Sequence, residues 1–99
     1  MKYKLSAKAA QDIENIWLYT LENWSVQQAD RYVDLIFNEI EYLSRNPLSG
    51  DDYSKIRKGY RRAKVKSHLI FYRHQDSGSG IEVIRILHQR MDIEERLSE

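Results

Sequence analysis

The period of the hydrophobic pattern changes from about 3.6 residues to about 2 in the middle of the chain, which limits the fold more than any other feature. Apolar side chains recur at helical spacing over 7–22 and again over 26–45. Ser6 and Ser25 precede these stretches and can cap the helices, and Asn46-Pro47 ends the second because the residue before proline avoids helical geometry. Two helices joined by so short a turn are expected to pack antiparallel. The apolar stripes are Ala9, Ile13, Ile16, Trp17 and Leu21, then Ala29, Tyr32, Val33, Ile36, Ile40 and Leu43.

Short alternating or continuous apolar segments predict strands in the second half of the chain. A turn-rich loop at 48–53 separates them from the helices. The segment at 61–66 places Ala63 and Val65 on one face and basic residues on the other, whereas 68–73 is apolar on both faces and is predicted to be central. The other expected elements are a strand that opens at Ile56-Arg57 and bends at Gly59, a hairpin loop at Asp76–Gly80 and a strand over Ile81–Leu87.

Two short segments complete the predicted architecture. Tyr3-Lys4-Leu5 is predicted as a brief strand, and a short C-terminal helix or tail is expected around Asp92–Leu97. The predicted fold class is therefore α+β, with an antiparallel helical hairpin packed on a small antiparallel sheet in two layers. Because the chain has 99 residues, residues 1–99 are expected to form one domain.

The composition excludes several classes of protein. The chain has no cysteine, which excludes a disulfide framework and thiolate metal sites and fits a reducing cytosol. Its apolar cluster at 69–72 is too short to span a bilayer, and no signal peptide opens the chain, so we expect a cytoplasmic protein with no membrane partner. His68, His74 and His88 lack the spacing of metal ligands, so no metal or other cofactor is expected.

Charge is distributed unevenly along the chain. The formal net charge is only +1, but the segment between Ser54 and Gln75 contains many bases and no acidic residue. Such a region can bind nucleic acid or an acidic protein, or it can be a solvated strand pair whose charges discourage aggregation. The bases are Lys55, Arg57, Lys58, Arg61, Arg62, Lys64, Lys66 and Arg73.

The residues that could carry chemistry are few. Metal-free RNA cleavage would need an acid–base group, for which His88 is the candidate, together with cations that stabilise developing charge. The alternative is a hydrogen-bonded histidine at a strand end and solvated arginines. Trp17 and Trp24 could form a stacking platform, but their helical spacing predicts packing in the core and the hairpin. The candidate cations are Arg62, Lys64, Arg85 and Arg90.

Several segments, taken in order, form a specific set that covers nearly the whole chain. They are Leu5-Ser6, Ala9-Ala10, Asp12-Ile13, Ile16-Trp17, Tyr19, Trp24, Gln28-Ala29-Asp30, Tyr32, Leu43, Pro47, Gly50, Gly59-Tyr60-Arg61-Arg62, Ser67-His68, Phe71-Tyr72-Arg73 and Ile84-Arg85-Ile86-Leu87-His88-Gln89-Arg90-Met91-Asp92. This set resembles the ParE branch of the RelE/ParE superfamily of bacterial toxin–antitoxin systems.

The resemblance implies a function that spacing alone does not reveal. ParE-like toxins bind DNA gyrase, leave it holding cleaved DNA and block replication without themselves hydrolysing a substrate. A ParD-like antitoxin neutralises them when its disordered C-terminal part folds onto the toxin. The implied partners are therefore the antitoxin, in a hetero-oligomer, and gyrase or the related topoisomerase IV, with no direct binding of nucleic acid.

Two alternatives stay open within the same superfamily. RelE-like toxins are ribosome-dependent mRNA endonucleases that commonly use a C-terminal tyrosine or histidine with basic residues. Here the last tyrosine is Tyr72, so His88, Arg90, Arg62 and Lys64 would have to replace it. The third possibility is an inactive binding module of the same fold.

The resemblance and the charge pattern together suggest two sets of contact residues. The first set is expected to be exposed and to contact the target; it consists of Arg90, Met91, Asp92 and Leu97. The second set is expected to bind the antitoxin, whose acidic tail would suit the basic segment; it consists of Trp17, Tyr32, Arg61, Arg62, Lys64 and Arg73.

Overall fold

The computed structural model describes residues 3–75 and 80–98, which form three helices and a five-stranded sheet. The expected hairpin loop at Asp76–Gly80 lies, except for Gly80, outside the described residues. The elements in chain order are β1 (Tyr3–Leu5), α1 (Ala7–Asn23), α2 (Val26–Arg45), β2 (Asp51–Asp52), β3 (Tyr60–Val65), β4 (His68–His74), β5 (Ile81–His88) and α3 (Ile93–Leu97).

The helical hairpin forms where the sequence predicts it, because the capping residues and the apolar stripes indicate the same two helices. The Ser6 hydroxyl accepts the Ala9 N–H at 3.0 Å, and the Ser25 hydroxyl accepts the Gln28 N–H at 3.1 Å. The buried positions of α1 are Ala9, Ile13, Ile16 and Thr20, and those of α2 are Ala29, Ile36, Ile40 and Leu43.

The strand order is β1-β5-β4-β3-β2, so β4 is the central strand, as its apolar sequence predicts. Strands β2 to β5 pair antiparallel, whereas β1 joins the edge parallel to β5. The sheet is therefore mixed. A parallel neighbour requires a long crossover, and the helical hairpin between β1 and the rest of the sheet supplies it.

The segment around Ile56 is a turn and not the predicted opening of a strand. Tyr53 and Tyr60 are joined by a hydrogen bond of 2.9 Å from the Tyr53 N–H to the Tyr60 carbonyl, and the Ile56 N–H returns to the Tyr53 carbonyl at 3.1 Å. These local bonds replace the strand pairing that was expected at Ile56-Arg57. Gly59 has a φ of 83° and provides the predicted bend, while β2 lies in the stretch predicted as loop.

The sheet carries an apolar core on each face. The helix-covered face packs beneath α1 and α2, with buried side chains from Val65, Ile70, Tyr72, Ile81, Val83 and Ile86. The α3 face packs beneath α3 and the turn after β2, with Leu69, Phe71 and Leu87. An irregularity between Phe71 and Tyr72 leaves Ile84 of β5 unmatched in the register, so side chains after it change faces.

The loop between α2 and β2 is fixed by close contacts around Gly50. The buried Tyr72 hydroxyl accepts the Gly50 N–H at 2.9 Å and donates to the Pro47 carbonyl at 2.8 Å. A Cβ atom at Gly50 would overlap the Tyr72 hydroxyl, so this position requires glycine. Arg61 completes the arrangement by donating to the Gly50 and Leu48 carbonyls.

Candidate functional site

A groove of about 440 Å³ opens where the α1–α2 turn meets the turn between β3 and β4. We call it the hairpin groove. Its upper wall is aromatic, because Tyr19 and the 63%-exposed Trp24 pack edge to face at 6.2 Å between ring centroids. Trp24 is therefore not part of the core; of the predicted packing in the core and the hairpin, it makes a contact with Tyr19 at the hairpin turn. The residue follows the last turn of α1, beyond the stripe that faces the sheet, and its ring remains at the surface.

The charged side chains that line the hairpin groove are basic. Arg31 projects from α2 and Lys66 from the β3–β4 turn, and no Asp or Glu from the described part of the chain lines the groove. Lys66 has a φ of 54°, in the left-handed region that favours glycine. The groove thus combines an apolar wall with positive charge, which suits a ligand that carries apolar and acidic groups.

Three rings from different elements form the floor of the hairpin groove. The Tyr32 hydroxyl of α2 lies 2.6 Å from His68 Nδ1, and the rings of His68 and His88, a cross-strand pair of β4 and β5, meet edge to face at 5.2 Å. The pKa of His68 is lowered to about 4, mainly by burial and in part by the nearby His88, while Asp12 acts in the opposite direction. Burial also raises the pKa of Tyr32. His68 is therefore neutral near pH 7, and its Nδ1 shares a hydrogen bond with the Tyr32 hydroxyl.

The end of β5 leads directly from this floor to the C-terminal turn. His88 Nδ1 accepts the Arg90 main-chain N–H at 3.1 Å, and the Gln89 N–H donates to the Ser67 carbonyl at 2.9 Å. Arg90, Met91 and Asp92 are exposed there. The turn is thus presented to solvent while it is held to the floor of the groove.

Leu97 does not share this exposure, contrary to the sequence-based expectation. Its side chain is 5% exposed and packs with Leu69, Phe71 and Leu87 on the α3 face. The physical reason is that α3 folds back under the sheet, where Leu97 covers apolar side chains that would otherwise meet water.

An ion pair between Asp12 of α1 and Arg85 of β5 anchors the helical hairpin to the sheet. The Asp12 carboxylate accepts from Arg85 Nε at 2.9 Å and from its Nη2 at 3.0 Å, and it also accepts the Ile86 N–H at 2.9 Å. Both side chains are nearly buried. Arg85, a candidate for charge stabilisation at the sequence level, is therefore engaged in holding the fold together.

Within 3–75 and 80–98, no helix is both long and apolar enough to cross a membrane. In that same part of the chain, no three His, Cys, Asp or Glu side chains are grouped so that they could hold a metal ion.

Comparison with known proteins identifies the family. A family model described as the ParE toxin of the type II toxin–antitoxin system parDE matches residues 3–93. The chain belongs to the ParE toxin family. It is 40% identical to Toxin ParE1 of Mycobacterium tuberculosis strain H37Rv over 97% of each chain. It is also 39% identical to Toxin ParE1 of Caulobacter vibrioides over 91% of each, and 31% identical to Toxin ParE of Escherichia coli over 98% of this chain and 93% of that one.

The fold agrees with this family. One chain of a structure described as the chromosomal ParDE TA system from P. aeruginosa aligns with a TM-score of 0.75 at 21% identity, covering 89% of this chain and 95% of that chain. The comparison confirms the α+β fold predicted from the sequence. The protein is therefore a ParE-type toxin of a type II toxin–antitoxin system.

In this ParE-family chain, the residues proposed for nuclease chemistry are brought together only in part: the Arg90 main-chain N–H bonds to the His88 ring, whereas Arg62 and Lys64 lie elsewhere. His88 faces the helix-covered side with His68 and Tyr32. Arg62 and Lys64 alternate with Ala63 and so face the opposite side, where they line a second cavity with Leu69. Arg62 is further engaged by the Asp51 carboxylate at 3.3 Å. The sheet thus separates the candidate acid–base group from these two cations.

The six residues expected to bind the antitoxin are also dispersed. Tyr32 alone among them lines the hairpin groove. Trp17 donates to Asp30 at 2.9 Å within the helical hairpin, and Arg61 holds the Gly50 loop. The other three lie on the α3 face, where Arg73 pairs with Glu82; they are Arg62, Lys64 and Arg73.

Sequence reasoning missed His68, Arg31 and Lys66 as members of one site. A usable signal exists in the strand pattern, because a two-residue turn at 66–67 places His68 directly opposite the end of β3. Pairing of β4 with β5 then brings His68 to His88. The contact of α2 with this pair could not be predicted, because it depends on how the helices cross the sheet.

Proposed function

We propose that this ParE-family toxin binds DNA gyrase and blocks replication in the bacterial cytoplasm, and that a ParD-like antitoxin neutralises it. The observation that carries the proposal is the match to the ParE family over residues 3–93. The sheet also separates His88 from Arg62 and Lys64, two of the cations that the nuclease alternative would need beside it.

The proposed target contact is the exposed turn at Arg90–Asp92. Its side chains include the 42%-exposed Met91, a flexible apolar group of the kind that is common at protein interfaces. Leu97 contributes indirectly, because its burial on the α3 face sets where α3 and the turn before it lie.

The proposed antitoxin contact includes the hairpin groove. A helix that places apolar side chains against Tyr19, Trp24 and Leu35 would bury them, and its carboxylates would meet Arg31 and Lys66. This is the arrangement that an acidic, amphipathic antitoxin segment can satisfy. The edge of β3 beyond the two residues paired with β2 offers a second contact of the strand-addition type.

The test of the target is gyrase supercoiling of plasmid DNA with ATP and purified toxin, read for linear cleaved product. We expect cleaved DNA to accumulate and to disappear when antitoxin is added. Met91→Ala and Asp92→Ala should weaken the effect, whereas Tyr42→Ala, which removes an exposed aromatic ring of α2 that does not line the groove, should not. Unchanged gyrase activity, with translation-dependent mRNA cleavage instead, would contradict the proposal.

The test of the antitoxin contact is the affinity and association rate of the ParD-like antitoxin. We expect Trp24→Ala to raise the dissociation constant at least about tenfold, as for a central aromatic anchor, with Tyr42→Ala again as the matched control. Lys66→Gly removes a cation while fitting the left-handed backbone, so it should slow association at low salt without unfolding the toxin. An association rate that does not depend on salt would count against steering by the basic segment.

A further inference from the structure

The turn that carries Arg90 and Met91 is held by the ring of His88. His88 Nδ1 accepts the Arg90 N–H at 3.1 Å, and the His88 carbonyl accepts the Met91 N–H at 3.0 Å. The Gln89 N–H, between them, is bound to the Ser67 carbonyl. Of these contacts, the one made by the imidazole ring is chemically unlike the others, because its acceptor can be removed by a proton.

An N–H group can donate only to an imidazole nitrogen that carries no proton. The contact with Arg90 therefore fixes the His88 ring as the neutral form with its proton on Nε2. Protonation would convert Nδ1 into a donor that faces the Arg90 N–H, and the bond would be lost. The acceptor role of the ring is therefore tied to its charge state, because the neutral imidazole accepts at Nδ1 and the imidazolium cannot.

The groups around the His88 ring do not include a carboxylate partner among the described residues that line the groove. The His68 ring of β4 contacts the His88 ring directly, and Arg31 and Tyr32 of α2 and Lys66 of the β3–β4 turn line the same groove, while Asp12 of α1 acts on the pKa of His68. Because the pKa of His68 is lowered to about 4, that ring stays neutral over the range in question. Local loss of the Arg90 bond between pH 8 and pH 5 therefore does not require protonation of the folded His68 ring, and amides in the sheet report the separate loss of global stability that His68 causes.

We propose that His88 is a positioning residue whose neutral ring holds the Arg90–Asp92 turn in shape and whose protonation releases it. The role of this turn in contacting the target rests on the proposed function, whereas the hold of His88 on the turn does not. The same ring forms part of the floor of the hairpin groove. His88 thus connects the proposed antitoxin face with the proposed target contact.

A side-chain bond elsewhere in the chain suggests a variant of His88 that keeps the contact with Arg90. Asp52 Oδ1 accepts the Ser54 N–H at 2.9 Å, which is the same bond to the residue two positions ahead that His88 makes to Arg90. An Asn side chain can make this bond at any pH. His88→Asn should therefore keep the turn and remove its pH dependence, while His88→Ala should remove the turn's anchor.

The experiment is NMR of the full-length toxin at pH 8 and pH 5. It measures solvent exchange of the Arg90 amide relative to an unstructured peptide at the same pH. In the wild type we expect protection at pH 8 that falls about fivefold to tenfold at pH 5, the loss of one hydrogen bond worth roughly 1 kcal/mol. His88→Asn should be protected at both pH values and His88→Ala at neither.

Three results would overturn the proposal: wild-type protection that is equal at both pH values, His88→Ala protected like the wild type, or His88→Asn behaving like His88→Ala. Protection of the Ile70 and Ile86 amides within the sheet reports whether each variant is folded. Gyrase cleavage at pH 8 by the same variants then separates the two proposals. If neither the wild-type toxin nor any variant makes gyrase accumulate cleaved DNA, but the Arg90 amide behaves as expected, the proposed target fails and the positioning role stands.

Discussion

The two faces of the sheet are covered in very different ways. The helix-covered face is buried by two helices of 17 and 20 residues, with Ile36 and Ile40 fully buried in the core that these helices share with the sheet. The α3 face is buried by a helix of five residues and by the turn that contains Tyr53 and Ile56. A helix of five residues is not stable by itself, so α3 depends on its contacts with the sheet.

The two faces of the sheet are therefore expected to differ in local stability: the helix-covered face is the more stable, and the α3 face is the more adaptable. The helix-covered face is expected to open only when the whole domain unfolds, whereas α3 can detach at a smaller cost. The proposed target contact at Arg90–Asp92 lies next to the weaker side. Partner binding at the hairpin groove, in contrast, uses a wall that is built on the stronger side.

The largest effect is expected from truncation in the helix-covered core. Ile40→Ala should lower the free energy of unfolding by about 3–4 kcal/mol, because it leaves a cavity among fully buried side chains. Chemical denaturation with a two-state fit measures this change. A loss below about 1 kcal/mol would mean that the two faces are equally adaptable, which would break the comparison.

The next largest effect is expected from the ion pair that joins α1 to β5. Asp12→Ala should cost about 3 kcal/mol, because it leaves the nearly buried Arg85 and the Ile86 N–H without their carboxylate. Asp51→Ala is the matched control: its ion pair with Arg62 is exposed and should cost less than about 0.5 kcal/mol. Equal costs for the two variants in the same denaturation experiment would contradict this assignment.

A smaller, pH-dependent effect is expected from His68 on the helix-covered face. Its pKa is about 4 when folded and 6.5 as the ordinary value, so the unfolded chain binds the proton first as the pH falls. Stability should therefore decrease between about pH 6.5 and pH 4, by roughly 1–2 kcal/mol after allowance for partial solvent exposure. His68→Asn, whose side-chain amide can still form a hydrogen bond with the Tyr32 hydroxyl, should abolish this component, as measured by denaturation at several pH values.

The smallest effect on global stability is expected from the α3 face. Leu97→Ala should detach α3 and cost only about 1 kcal/mol, because undocking of the short helix limits the loss. Hydrogen exchange should show lost protection in Ile93–Leu97 with unchanged protection in β4. Cooperative unfolding of both regions would show that the two faces do not behave independently.

The helices and the central strand could be predicted from the sequence because their signals are local. Ser6 and Ser25 make the expected capping bonds, and α2 runs over the residues that its apolar stripe and Asn46-Pro47 indicate. The position of β4 in the middle of the sheet follows from a segment that is apolar on both faces.

The candidate site could be predicted only in part. Tyr32 and His88 were recognisable as candidates, but their contact through His68 depends on strand register and on the path of α2. Sequence patterns also do not distinguish a terminal leucine that folds back, such as Leu97, from an exposed one. Trp24 shows the opposite case, because an aromatic residue at a helix end can remain at the surface.

The sequence by itself determined the helices, their caps, the strands of the antiparallel hairpins and the family, because each depends on neighbouring residues or on an ordered set of them. The tertiary structure decided which side of the sheet each candidate side chain faces. A single unmatched residue, Ile84, changes the face of every later side chain in β5 and so sends His88 to the groove. The facing of side chains depends on pairing between distant strands, which no local pattern specifies.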